Sequence, residues 1–226
     1  MVNTMYDIGT NSKKSYKIRL KKPYYHKFST YNWPVIIALA INTIFLIATL
    51  VNPNLIPMLA MNNPAGMTEI SWFVGNFVHA GVVHFVMNML CFFIVTNELR
   101  YKFHTKQWVL WFLYIGSAFV IGPLVTLLST QPVVGYSGVV MAYITFGILN
   151  KVRGYKGLAI YLVVMHVVLL LLPLNVSIIT HIIGAMVGAA LYLYLYLDKK
   201  IRTKLYLRKK NNRDVVESWR ERHGKA

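Results

Sequence analysis

Acidic residues are scarce in this chain: 7 Asp and Glu stand against 24 Lys and Arg. Charged residues of both signs make up 14% of the sequence, where a soluble domain averages about 25%. Charge is also missing in long blocks. No Asp, Glu, Lys or Arg occurs from Phe28 to Thr68, from Gln107 to Asn150, or from Gly157 to Leu197. Each block exceeds the roughly 20 residues that cross a bilayer, which excludes a soluble globule and a disordered chain. Cysteine is nearly absent: Cys91 stands alone, so no intrachain disulfide forms and a secreted disulfide scaffold is excluded. No internal repeat and no low-complexity segment stands out. The polar or basic stretch before the first apolar run, and the lack of a small-residue cleavage pattern at that run's end, argue against a cleaved signal peptide. What remains is an all-α, polytopic membrane protein.

The basic residues that give the net charge of +17 fall into four groups: before Phe28, Arg100–Lys106, Lys151–Lys156 and after Leu197. Turn signals at Asn52-Pro53-Asn54, Gln131-Pro132 and Pro173-Leu174-Asn175 divide the apolar blocks. The pattern predicts six membrane helices near 33–51, 78–98, 107–128, 137–150, 157–172 and 177–197. Placing every basic group on one side satisfies the positive-inside rule with both termini cytosolic and leaves Glu69 in the opposite loops. The chain then divides into a basic cytosolic segment (1–32), a six-helix membrane domain (33–197) and a basic cytosolic tail (198–226). A tail of Lys, Arg and Tyr beside a membrane is expected to rest on anionic lipid rather than on nucleic acid. Tyr24, Tyr25, Trp33, Tyr192, Tyr194 and Tyr196 lie where amphipathic rings anchor at the cytosolic boundary.

Strongly polar groups inside membrane helices are costly and are functional candidates by default. Here they are Asn42, His79, His84, Asn88, Ser137, His166 and His181. His84 and Asn88, four residues apart, project from one helical face; an interhelical hydrogen-bonding pair is the alternative reading. His79 would lie about 140° around the same helix from His84, which disfavours a two-histidine metal site there. Ser137 sits in Gly135-Tyr136-Ser137-Gly138 at the start of the fourth helix. The glycines leave room around its hydroxyl, and a helix N-terminus offers free N–H groups to a developing oxyanion. His181 shares a face with Gly184 and Gly188, a small-xxx-small pair that lets helices meet backbone to backbone. His166, among valines and a methionine, reads as structural.

The second, fourth and sixth helices run in the same direction, and His84, Ser137 and His181 all fall near their outer ends. A hydroxyl and an imidazole at one depth, with a second histidine and an asparagine nearby, fit nucleophilic acyl transfer. His181 would deprotonate Ser137, and His84, Asn88 and backbone N–H groups would hold the oxyanion. No carboxylate lies where a triad would need one, so the chemistry would rest on a dyad.

Three blocks in this order, His79-x4-His84-x3-Asn88, Gly135-x-Ser137-Gly138 and His181-x2-Gly184-x3-Gly188, resemble the rhomboid family of intramembrane serine proteases over about residues 33–197. The resemblance implies a six-helix rhomboid-like bundle that cleaves transmembrane segments of single-pass membrane proteins near the outer face. Ser137 would be the nucleophile, His181 the general base, and His84, Asn88 and Gly135 the oxyanion-stabilising group. It implies no metal or cofactor. The chain departs from the family pattern in several places. Its first outer loop lacks the Trp-Arg pair many members carry, Met141 stands where an aromatic ring is common, and Thr180 replaces a small Ala. Glu98 is expected to be only a structural contact. The absence of a seventh predicted helix favours the bacterial form, in the plasma membrane. Two other functions are compatible with a polytopic chain: a rhomboid-like pseudoprotease that binds membrane clients without cutting, and a small transporter. The intact Ser/His pair speaks against the first, and the lack of intramembrane carboxylates and of a repeat against the second.

Overall fold

The computed structural model describes residues 33–63, 70–103, 107–171 and 177–224. The basic segment 1–32 with Tyr24 and Tyr25, the loop residue Glu69 and the side chain of His166 lie outside the described residues.

The helices are α1 (Trp33–Val51), α2 (Leu55–Leu59), α3 (Ser71–Val74), α4 (Val82–Lys102) and α5 (Gln107–Trp111). A π-helical turn, Phe112–Gly116, leads from α5 into α6 (Ser117–Leu128), followed by α7 (Ser137–Leu149), α8 (Tyr155–Leu171) and α9 (Ile178–His223). Among the described residues, four stretches are long and apolar enough to cross a membrane: α1, most of α4, Trp108–Leu128 and α9. Ser137–Leu149 and Tyr155–Val164 are shorter apolar helices.

Two boundaries correct the sequence reading. The expected span 78–98 begins instead at Val82, because residues 75–81 form turns, so His79 precedes the helix rather than lying on it. The expected sixth span, 177–197 followed by a tail, is one helix that runs on to His223. No glycine or proline interrupts the chain between Gly188 and Gly224, and Lys, Arg and Leu are good helix formers. The Arg202 guanidinium also pairs with Asp198 one turn earlier, at 2.8 Å. At its start, Ser177 Oγ accepts the Thr180 N–H at 3.3 Å and caps the helix.

α7 is the central element: Gly138 to Ile144, Phe146 and Gly147 are all buried. Its closest neighbour is α9. A Cβ added at Gly184 would fall 2.1 Å from the Gly138 carbonyl oxygen, and one at Gly188 2.3 Å from that of Ala142. Only glycine allows the two backbones this approach. Around α7, Phe92, Tyr114, Tyr136 and Tyr143 interlock edge to face or tilted, with ring centroids 4.9–6.4 Å apart. Just before the π-helical turn, Tyr143 Oη donates to the Leu110 carbonyl at 2.6 Å.

Buried polar groups within the helices mostly bond inside their own helix, as an apolar surround requires. Asn42 donates to Ala38 O at 2.8 Å, Thr49 to Phe45 O at 2.9 Å and Thr96 to Phe92 O at 2.7 Å. Outward-facing apolar side chains, among them Ile44 and Leu50 on α1, Val83 and Phe93 on α4, Leu127 on α6, and Ile160 and Val163 on α8, are exposed. An apolar belt of this extent fits contact with lipid rather than water.

The segment between α1 and α4 is clamped to the chain ahead of α7. Met61 and Val133 form an antiparallel bridge with bonds of 2.7 and 2.9 Å, and the Gly135 N–H donates to Gly75 O at 2.9 Å. A Cβ at Gly75 would lie 2.8 Å from the Met61 nitrogen, and one at Gly122 1.9 Å from the Trp72 carbonyl oxygen. α3 therefore presses directly on α6. Asn76 reinforces this join, donating to Phe73 O at 3.0 Å and to Ala118 O at 3.5 Å.

Gly188→Leu should therefore force α7 and α9 apart and destabilise the folded protein by about 1–3 kcal/mol or more, the usual cost of overpacking. Ala190→Leu, at an exposed position of the same helix, should be tolerated. Unfolding in detergent, followed by helix content, checks the difference.

Candidate active site

Ser137 is the first residue of α7 and half-buried. At that position the N–H groups of the opening turn have no intrahelical partner. The preceding Gly135 adopts φ +134°, a conformation that strongly favours glycine. Space makes the same demand. A Cβ there would lie 2.7 Å from His84 Cε1, 3.1 Å from His84 Nε2 and 3.8 Å from Ser137 Oγ. The absence of a side chain at 135 thus lets the His84 ring lie against this backbone, close to the Ser137 hydroxyl.

His84 lies in the first turn of α4. Its Nδ1 accepts the Ala80 N–H in a long contact of 3.4 Å. A neutral ring whose Nδ1 accepts carries its proton on Nε2, the nitrogen on the side of Gly135. One turn further along α4, Asn88 is buried, and its Nδ2 has no hydrogen-bond partner among the described residues. His84 and Asn88 therefore share a face, as their spacing predicts.

His79 departs from expectation. It lies outside the helix and is fully buried, and its ring meets that of His84 edge-on at 5.3 Å, with Phe85 at the same distance. Helical spacing, which set the two histidines on different faces, does not apply across the turn at Ala80–Gly81. The contact places a rigid aromatic wall behind the His84 ring.

His181, in the first turn of α9, is buried. The residue before it, Thr180, has Cγ2 2.7 Å and its carbonyl oxygen 3.2 Å from the point where a Gly138 side chain would begin. Gly184, one turn later, touches the Gly138 backbone itself. Both neighbours of His181 along this face thus rest on the residue directly after Ser137, and the histidine and the serine occupy adjoining turns of two helices in backbone contact. Thr180 Oγ1 bonds Ser177 Oγ at 2.9 Å, which ties the helix start to the same join. The threonine in place of a small alanine fills a gap beside Gly138.

Of the remaining candidates, Met141 is buried one turn below Ser137, and Asn42 is absorbed by its own helix. Glu98 is half-buried near the far end of α4, several turns from His84. Gly75 and Ala80 contribute through backbone atoms, a role that leaves no mark in side-chain chemistry. They were not among the residues singled out in the sequence.

A hydroxyl at a helix N-terminus, a proton-bearing imidazole nitrogen, a buried amide donor and a second imidazole on an adjoining turn are the parts that acyl transfer requires. Residues 68–198, more than half of the chain, match the family model described as the Rhomboid domain, and this stretch contains every one of these groups. No curated protein sequence matches the chain. On the strength of the family match and its extent, the chain belongs to the rhomboid family.

Proposed function

We propose that this protein is an intramembrane serine endopeptidase that cleaves transmembrane segments of single-pass membrane proteins with a Ser137–His181 dyad. The carrying observation is the approach of the His84 ring to the Gly135 backbone, which brings His84 Nε2 and Ser137 Oγ within 3.1 and 3.8 Å of one point beside that glycine. The α7–α9 backbone contact supports the pairing of Ser137 with His181. In this reading α1, α4, α5–α6, α7, α8 and α9 make six crossings of the plasma membrane, with both termini in the cytoplasm, as the basic clusters require.

α7 is about 20 Å long, against a hydrocarbon layer of about 30 Å. With its C-terminal end at the basic, cytoplasmic side, Ser137 would lie about 10 Å below the outer face. A substrate helix hides its carbonyls in its own hydrogen bonds, so a locally unwound segment with small residues at the cut is the fitting substrate. His181 takes the Ser137 proton as Oγ attacks the exposed carbonyl. Negative charge then develops on the carbonyl oxygen beside Ser137, where His84 Nε2–H, Asn88 Nδ2–H and the Ser137 N–H can donate to it. Collapse of the tetrahedral intermediate expels the amine, protonated by His181. Water, deprotonated by the same imidazole, hydrolyses the acyl-enzyme. The backbone contact between α7 and α9 at Gly138 and Gly184 positions His181 beside the start of α7.

Ser137→Ala should abolish both fluorophosphonate labelling and cleavage of a model transmembrane substrate; cleavage that persists in this variant rules the dyad out. Asn88→Ala should lower kcat about 10²–10³-fold, the cost of one oxyanion donor, with KM little changed, as steady-state kinetics in detergent would reveal. Gly135→Ala should be as damaging to labelling as the loss of His84, since its methyl group would displace the His84 ring from its place beside Ser137.

A further inference from the structure

α9 continues about 39 Å beyond Leu197 at 1.5 Å per residue, and its side chains there are almost all exposed. This extension is not uniformly polar. At 100° per residue, Ile201, Leu205, Asn212, Val216 and Trp219 fall on one face, and the four apolar ones are exposed. A shallow groove on this face is lined by Leu205, Arg208, Asn212 and Val216, with Lys209, Arg220 and Arg213 along one side and Glu217 at the edge. Asp214 and Glu221 project to the opposite side of the helix. From Lys199 to Arg213 there is no acidic residue at all. A largely apolar stripe bordered by Lys and Arg, with Asp214 and Glu221 turned away, is the pattern of a helix that lies in a lipid headgroup layer.

We infer that the extension of α9 is an interfacial helix that docks its Ile201–Trp219 face on the anionic leaflet it leaves, with the flanking Arg and Lys on lipid phosphates. Charge complementarity decides among occupants. A second copy would set the same cations against one another. The cytoplasmic flank of a single-pass client is itself basic under the positive-inside rule. Nucleic acid would use the charge and leave the apolar stripe without a role. The anionic leaflet satisfies both features and lies directly beside the helix. Laying the stripe down requires the unbroken helix to open about one turn near Asp198–Lys200. The Arg202–Asp198 pair is exposed on the arginine side and gives way readily, and the basic residues that gain phosphate partners outnumber the backbone bonds lost.

The test uses the full chain, one copy per nanodisc, in phosphatidylcholine alone or mixed with phosphatidylglycerol. Amide exchange of 198–223 should slow at least tenfold in the anionic discs only. Trp219 emission, isolated as the difference between wild type and Trp219→Phe, should shift to the blue in the same discs. Replacing Arg208, Lys209 and Arg213 with Gln should abolish both effects, and Val216→Ser should abolish the fluorescence shift. Equal exchange in the two disc types would overturn the inference. So would protection that needs two copies per disc, or protection by added RNA in neutral discs. None of these readouts depends on proteolysis, so the inference and the proposed dyad stand or fall separately.

Discussion

Two glycines on α9 allow its backbone to lie against that of α7, and most of the molecule is arranged around this contact. Side chains of any size at 184 or 188 would push into the carbonyl oxygens of Gly138 and Ala142. In a bilayer, apolar side chains gain little by leaving lipid for protein, so association depends on close fit and dispersion over a long seam. The same seam sets the chemistry. Ser137 and His181 each sit within a turn of the Gly138–Gly184 contact, so the precision of the proposed dyad comes from the two backbones rather than from flexible side chains.

A second set of contacts governs the other half of the site. The loop before α7 is held by the Met61–Val133 bridge and by Gly75 accepting from Gly135, and α3 is pressed on α6 at Gly122. The described residues between α1 and α4 thereby act as a strut, which reaches from α1 to α6 and fixes the backbone ahead of Ser137. His84 approaches that backbone from α4, backed by the buried ring of His79.

Much of this was legible in the sequence because membrane chains separate charge from apolar length. The charge-free blocks gave the helices, Gly-x-Ser-Gly gave the start of α7, and His181 with Gly184 and Gly188 gave the contacting face of α9. Other features were hidden for physical reasons. A helical period carried through Ala80–Gly81 set His79 apart from His84, whereas the turn there folds one ring onto the other. The basic extension read as a tail because its composition is that of a cytosolic flank; only the uninterrupted run without glycine or proline hinted at helix. Gly75 and Gly122 act on partners distant in sequence or through carbonyl groups, and no local pattern announces either.

The π-helical turn at Phe112–Gly116 has a consequence for how this chain can vary. Such a turn holds one more residue than the α-helix on either side of it, and the surplus lets Val109 and Leu110 before it, and Ala118 and Ile121 after it, all face inward. Loss of a single residue from this turn would leave a regular helix with both inward faces still in phase. The same loss a few positions later would rotate Gly122 away from Trp72 and part α6 from the strut. Length variation among descendants of this sequence should accordingly be tolerated at that one turn and selected against in the turns that follow it.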